Sequence, residues 1–354
     1  MKRRIIFIRD ILSNIFLGHR YSLFYIAENY GWVIDEEGKT IINSLASKNL
    51  LKGKITSTPI GLRHKILHFG SIGTLVTERG IKNFHPSNKA ILSWFHIVED
   101  DKRIKFIPDL NKKISFFHTA SNITKNKLIK FGAEQSKIIV IPLGVDTSVF
   151  YPDSEKRDHI RHELQIKDGT IAIGSFQKDG DGWGEGLTPK LIKGPDVFCE
   201  AVKIISNQHP IHVILTGPAR GYVKNKLKSA NVPYSHIYLD NAADVAQYYN
   251  ALDLYLVCSR EEGGPKAIME SMATGVPVVS TIVGMAPDII DDRVNGLLAS
   301  APDANIIAQK AQEILTDQSL KKSIVDNALQ SIGEYSSQKL SGSFYYRIYK
   351  DLLE

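Results

Sequence analysis

The sequence predicts an α/β protein of two domains, each a parallel sheet covered by helices on both faces. Three observations carry this. The chain has 354 residues, more than one ordinary domain holds and suited to two. Its second half alternates short β-rich runs with segments of helical length. Between the halves lies residues 142–152, PLGVDTSVFYP, where proline and glycine fix a turn and make a hinge.

In chain order, residues 4–8, 65–69, 90–97, 113–117 and 138–141 are the candidate strands of a first domain, residues 1–150, with less regular helices between them. After the hinge, the runs at 171–173, 212–215, 237–239, 254–258 and 278–280 read as buried parallel strands. Residues 195–207, 221–230, 242–251 and 265–274 are the helices between them. This second domain, 151–335, has a Rossmann-like pattern, in which ligands sit at the carboxyl ends of the strands. Two such domains in series make a cleft.

Composition narrows the function. Apolar residues reach 43%, enough for two cores. Cys199 and Cys258 lie inside apolar runs, which fits buried thiols in a reducing compartment. The opening MKRRIIFIRD is basic then apolar, but its apolar run is short and ends at Arg9-Asp10, so a cytoplasmic protein is expected. The net charge of +6 is uneven: residues 1–150 carry 23 Lys+Arg against 12 Asp+Glu, a net of +11, and the remainder is −5. The first half is therefore expected to face something anionic, such as a membrane surface or a phosphate-bearing substrate. Nucleic acid is not expected, because the basic residues do not interleave with aromatics.

The chemistry concentrates in residues 259–280, SREEGGPKAIMESMATGVPVVS. A strand ends at Cys258, Pro265 suits the first turn of a helix, Gly275 suits its end, and Pro277 stops it. Glu262, Gly263 and Gly264 then occupy a strand-to-helix loop at a positive helix end, where backbone N–H groups can hold a phosphate. Glu270 follows two turns later as a pure acceptor suited to hydroxyl donors such as a ribose diol. A second glycine-rich stretch, residues 174–194 (GSFQKDGDGWGEGLTPKLIKG), alternates Gly180, Gly182, Gly184 and Gly186 between Lys178 and Lys193. Its spacing alone permits a phosphate cradle, a metal loop or a connector.

The 259–280 segment resembles the E-x7-E signature of the family-4 retaining glycosyltransferases, with Glu262 and Glu270 as its acids. The hinge, the run Asn295-Gly-Leu-Leu and the ending FYYRIYKDLL resemble the same family. The resemblance implies the GT-B fold, two Rossmann-like domains facing across a cleft, with a last helix, 336–354, crossing back onto the first domain. It implies a sugar nucleotide, UDP- or GDP-linked, as donor and a glycan or lipid-linked acceptor, with no metal and no other cofactor. Glu270 is then expected at the ribose, Glu262 at the transferred sugar, and Gly263, Gly264 and Pro265 near the sugar or diphosphate. Lys178, where the family usually has arginine, and Lys193 are expected at the diphosphate. The glycines between them would form a mobile loop, with Trp183 as a sugar platform. Gly217, Leu239 and Asn241 are expected near the base, and Gly18 is the only glycine where the family often has a pair. His96, at the end of the strand at 90–97, would touch the sugar near the reacting centre; His68 and His118 are further candidates.

Together these predict a cell-surface polysaccharide glycosyltransferase resting on the inner membrane face. A sugar-nucleotide epimerase or hydrolase, a pyridoxal-phosphate phosphorylase and a non-catalytic glycan-binding relative stay open. Asp179-x-Asp181 and Glu99-Asp100-Asp101 imitate metal-binding D-x-D motifs.

Overall fold

The computed structural model describes residues 2–28, 33–239 and 241–353. It divides into one unit made of Met1–Gly144 and Ser337–Glu354 and another made of Val145–Ser336.

The first unit contains β1 (Leu23–Ile26), β2 (Gly53–Thr56), β3 (Ile66–Phe69), a small hairpin β4–β5 (Val76–Thr77, Gly80–Ile81), β6 (Lys89–Ser93), β7 (Phe116–Thr119) and β8 (Ile138–Val140). Its six-stranded sheet runs β2-β1-β3-β6-β7-β8, all parallel. β1 and β3 are buried at every position, as strands covered on both faces should be.

Three expected strands differ. Residues 4–8 are not a strand but part of a helix, Lys2–Leu17. Ile5, Ile8, Leu12 and Ile15 recur at three- and four-residue spacing, and that longer pattern outweighs the short β-like run. The first strand is therefore β1, and Gly18 precedes it rather than following it. The strand expected over 90–97 stops at Ser93. Beyond it Trp94 is fully buried, its indole N–H donating to His96 O at 3.1 Å. The strand at 113–117 starts late, at Phe116, because the helix Ile107–Lys113 takes its first residue.

A directional chain of hydrogen bonds crosses this sheet. His118 Nε2 lies 3.0 Å from Ile141 O, a group that only accepts, so Nε2 carries the proton. His118 Nδ1 then accepts from Ser93 Oγ at 2.8 Å. Ser93 in turn accepts from His68 Nε2 at 2.8 Å, and His68 Nδ1 accepts from the Tyr349 hydroxyl at 2.6 Å. Every link is satisfied with both imidazoles neutral. Burial accordingly lowers the pKa of His118 to about 4 and that of His68 well below the ordinary histidine value. The chain ties in the C-terminal segment, Ser337–Phe344 continued by a wide turn at Tyr345–Tyr349, whose Phe344, Ile348 and Tyr349 pack with Leu23, Tyr25 and Ile66. His68 and His118 are thus structural.

The second unit contains β9 (Ile171–Ser175), β10 (Ile211–Thr216), β11 (Tyr234–Ile237), β12 (Leu254–Val257), β13 (Val278–Thr281) and β14 (Leu297–Ala299). The parallel order β11-β10-β9-β12-β13-β14 reverses direction between β9 and β12. The crevice at the carboxyl ends of those two strands is where an open α/β sheet binds its ligand. The helix Pro195–Ser206 buries Val197, Phe198, Ala201, Val202 and Ile205 along one face. Each large side chain so buried contributes about 1.5–3 kcal/mol.

The buried histidines set a pH dependence. The unfolded chain protonates them near 6.5, whereas native His118 resists until about 4. Stability is therefore fully present above pH 6.5 and drains as pH falls, because the unfolded state binds more protons. The urea midpoint should fall steadily from pH 7 towards pH 4.5, and in His118→Gln the slope should shrink by about one proton. Equal slopes would show that His118 does not titrate this way.

Candidate functional site

The site grows from the two chain segments that leave β9 and β12. After β12, residues 258–265 form a loop and Lys266–Ala273 a helix, with Ile268, Met269 and Met272 buried. Gly275, at φ +71°, ends the helix, its N–H bonding Met272 O. Pro265 stands just before the first turn rather than in it, in extended conformation.

The segment after β9 returns to meet this loop. Leu191–Lys193 form a single tight turn, and Gly194, at φ +63°, starts the helix Pro195–Ser206. Gly194 lies so close to Cys258 O that any side chain there would overlap it. At that approach Ile192 O accepts from the N–H groups of Arg260 (2.8 Å) and Glu261 (3.1 Å). The Arg260 guanidinium forks onto both Asp196 oxygens at 2.8 and 2.7 Å and also donates to Leu191 O. Gly284 fits against Gly263, leaving no room for a Cβ.

Lys193 and Glu262 meet here. The Lys193 ammonium donates to both Glu262 oxygens, at 2.6 and 2.7 Å, and the Ser259 hydroxyl donates to one of them at 2.9 Å. Ser259 O accepts from the Thr281 hydroxyl at 2.6 Å. Glu262 is nearly buried, while Lys193 keeps some exposure. Lys190, which the sequence reading passed over, joins them: burial lowers its pKa, and the ammonium groups of Lys193 and Lys178 lower it further. Lys190 thus lies within electrostatic reach of Lys193 and of Lys178. The Lys-x-x-Lys spacing of Lys190 and Lys193, brought round by the tight turn, was the available signal.

Glu270 lies on the same helix. Burial raises its pKa, and its carboxylate accepts from the fully buried Tyr249 hydroxyl at 3.0 Å. Tyr249 packs edge-on against Phe176, at 4.7 Å, and beside Tyr255. Neither Tyr249 nor Ser259 was picked out from sequence, since tyrosine and serine in apolar runs look like ordinary core and strand-end residues. Gly217, at φ +84°, follows β10, and Leu239 and Asn241 follow β11, so the three expected base contacts share one end of the sheet. Gly217 O accepts from His236 at 2.7 Å. His96, in the first unit, sits three residues beyond β6 in a loop, not at a strand end.

The glycine-rich stretch is a docked hairpin rather than a mobile loop. Gly180 bridges Pro189, Asp181 N–H bonds Thr188 O, and Lys190 N–H bonds Asp179 O. Gly180 and Gly186 both press on Ala219 O where no Cβ fits, whereas Gly182 and Gly184 face open space. The N–H groups of Gly221 and Tyr222 bond Glu185 O and Gly186 O at 2.7 and 2.9 Å. Under the hairpin, Asp179 and Arg220 are both fully buried, 3.1 Å apart. Arg220 also donates to Ser175 O, Ser175 Oγ and Thr216 O. Burial raises the Asp179 pKa to about 6 against the pull of Arg220. At the tip Lys178 lies 4.0 Å over the exposed Trp183 ring. Asp101 pairs with Arg103 and Glu99 with Lys130. Among the described residues no group of three or more His, Cys, Asp or Glu is placed to hold a metal ion.

Residues 187–331, which include Lys193, Glu262 and Glu270, match the family model described as "Glycosyl transferases group 1". The chain is 24% identical over 247 residues to N-acetyl-alpha-D-glucosaminyl L-malate synthase of Bacillus anthracis, covering 66% of this chain and 64% of that protein. It is 26% identical over 263 residues to the amylovoran biosynthesis glycosyltransferase AmsK of Erwinia amylovora, covering 69% and 59%. The chain thus spans less than two thirds of the length of these relatives. Among solved structures, Anabaena HepE in complex with UDP-glucose superposes with a TM-score of 0.74 at 16% identity, covering 93% of this chain and 99% of that one. The shared fold is that of the GT-B glycosyltransferases, two parallel-sheet α/β domains.

Breaking the buried pair should cost more than removing it. Arg220→Met leaves Asp179 buried without its partner, driving it to take up a proton, and should destabilise the protein by about 3–5 kcal/mol in urea unfolding. Asp179→Leu/Arg220→Met should recover much of that loss. A single variant no worse than the double would contradict this reading.

Proposed function

We propose that the protein is a glycosyltransferase that moves a hexosyl group from a UDP- or GDP-sugar to a hydroxyl of a glycan or lipid-linked glycan, with retention and without a metal. The observation that carries this is the Lys193–Glu262 pair at the switch point of the second unit, beside the start of the helix Lys266–Ala273. The complex of HepE with UDP-glucose and the polysaccharide role in the name of AmsK support the donor class and the biological setting.

In this reading the bond from the anomeric carbon to the diphosphate oxygen breaks and its electron pair leaves with the phosphate. The acceptor oxygen bonds the same carbon from the face the phosphate leaves, and its proton passes to a phosphate oxygen. The protein supplies charge where it develops: Lys193, Lys190 and Lys178, aided by the helix start near Gly263 and Gly264, stabilise the departing diphosphate. These fixed cations supply the stabilisation a metal would otherwise give. Glu262 orients Lys193 and offers an acceptor to sugar hydroxyls. Glu270, held by Tyr249, accepts from the ribose diol, and Gly217, Leu239 and Asn241 line the base end.

The test is a thermal-shift panel of UDP- and GDP-sugars followed by turnover with the donor that stabilises, since a ligand of the folded state raises its melting temperature. Lys193→Ala should lower kcat/KM by about a hundredfold or more. Glu270→Ala should abolish the donor-induced shift, and a retained shift would remove Glu270 from the ribose. In the native protein that shift should fade on acidification with a midpoint above the ordinary glutamate value of 4.5, because burial favours the protonated acid, which gives up an acceptor. Conversion of donor alone, without acceptor, would replace this proposal with an epimerase or hydrolase.

A further inference from the structure

The helix Lys2–Leu17 is amphipathic with its faces reversed. Its polar side faces the protein: Asp10 and Asn14, one turn apart, are both buried. Asp10 accepts from the Ser57 N–H and hydroxyl at 2.9 and 2.7 Å, and Asn14 donates to Thr58 O and Ile60 O at 2.9 and 3.1 Å. Ser13 meets Lys54 on the same side. The outward side is apolar. Ile5, Ile8, Leu12, Ile15 and Phe16 are 50–69% exposed. At 100° per residue these five fall in one arc about 100° wide. Ile60, half exposed on the loop that caps Asn14, adds to the strip, and Gly61 lies against Ile15.

Charge identifies the occupant. At the same helical pitch, Arg4 and Arg9 stand at the two margins of the apolar arc, both exposed. The only acid of the helix is Asp10, which is buried and beside Arg9. In sequence, residues 38–77, which supply the capping loop, contain no Asp or Glu but carry Lys39, Lys48, Lys52, Lys54, Arg63 and Lys65. An apolar strip flanked by cations, beside a capping segment that carries no acid in sequence, matches the boundary between acyl chains and anionic headgroups. Among the described residues no helix is long and apolar enough to cross a membrane, so this helix would lie on the surface rather than span it.

We propose that Lys2–Leu17 is an interfacial membrane anchor, seated by Asp10 and Asn14 and inserting Ile5, Ile8, Leu12, Ile15 and Phe16 into the headgroup–acyl boundary of an anionic bilayer. This goes beyond the transfer reaction and needs neither donor nor acceptor.

The test is flotation of the full chain with vesicles of phosphatidylcholine alone and with about a third phosphatidylglycerol. The native protein should float with the anionic vesicles and be only partly released by salt, since the apolar share of binding is not screened. Ile8→Ser/Leu12→Ser should lower the vesicle partition coefficient at least tenfold while leaving the melting temperature unchanged, because both side chains are exposed. Arg4→Gln/Arg9→Gln should lower it roughly 25-fold on anionic vesicles only. Failure of the native protein to bind anionic vesicles, or equal binding by Ile8→Ser/Leu12→Ser, overturns the proposal. So does a native dimer in light scattering that the serine variant converts to monomer without any vesicle binding, which would assign the strip to a second copy of the chain.

Discussion

The site of the second unit depends on one close approach, the backbone of Gly194 against the carbonyl of Cys258. Only a residue without a side chain, in a left-handed conformation, can stand there. The approach brings the turn Leu191–Lys193 within reach of the loop after β12, so that Ile192 O is captured by two consecutive N–H groups and Lys193 is delivered to Glu262. A different residue at 194 would push the segments apart and leave Glu262 nearly buried without its cation. The Lys193–Glu262 pair itself is no strong argument for stability, since the desolvation of two charges roughly cancels their attraction. What the pair provides is position. Gly194 and the Arg260–Asp196 fork hold the turn that carries Lys193, Ser259 steadies the Glu262 carboxylate that receives its ammonium, and preorganised charge of this kind is what a developing anion needs.

The hairpin at 179–190 follows the same logic with different parts. Alternating glycines in sequence look like slack, and two of them are: Gly182 and Gly184 face solvent. Gly180 and Gly186 are there because Ala219 O leaves no room. The sequence could not distinguish these pairs, because the partner, Ala219, is more than thirty residues away. Nor did it reveal that Asp179, which imitates a metal-binding D-x-D, is spent on Arg220.

Legibility followed locality. In the second unit the strands, the helix ends and the Glu262–Glu270 spacing are written in contiguous residues, and each lay at or within a few residues of its expected place. In the first unit the decisive relations are long-range. β1 and β2 are no shorter than strands that do stand out, but the apolar start at 4–8 competes with β1 for the first place in the sheet, and the helix Lys2–Leu17 is hidden because Asp10 and Asn14, not its most apolar side, face inward. Its helical period is present in Ile5, Ile8, Leu12 and Ile15, but the run at 4–8 by itself has the composition of a strand. The histidines misled for a related reason. His68 and His118 sit where a reactive group could sit, yet they carry a hydrogen-bond relay from Tyr349, at the far end of the chain, to Ile141 O.

Lys190, beside the Lys193–Glu262 pair in charge if not in contact, adds a physical reason to connect this architecture with the proposed leaving diphosphate. Burial lowers the pKa of Lys190 first, the charges of Lys193 and Lys178 lower it further, and Glu262 and Asp181 act the other way, so the fold keeps this ammonium partly desolvated and near like charge. Such an arrangement is costly unless something anionic shares the space, and it is stabilised in proportion to the negative charge that arrives. A sugar nucleotide bears less charge on its diphosphate than the nucleoside diphosphate it releases. In the proposed reaction, the cost of keeping Lys190 desolvated near Lys193 would therefore be relieved more as the glycosidic bond breaks than when the donor first binds. That difference is the part of binding that accelerates a reaction.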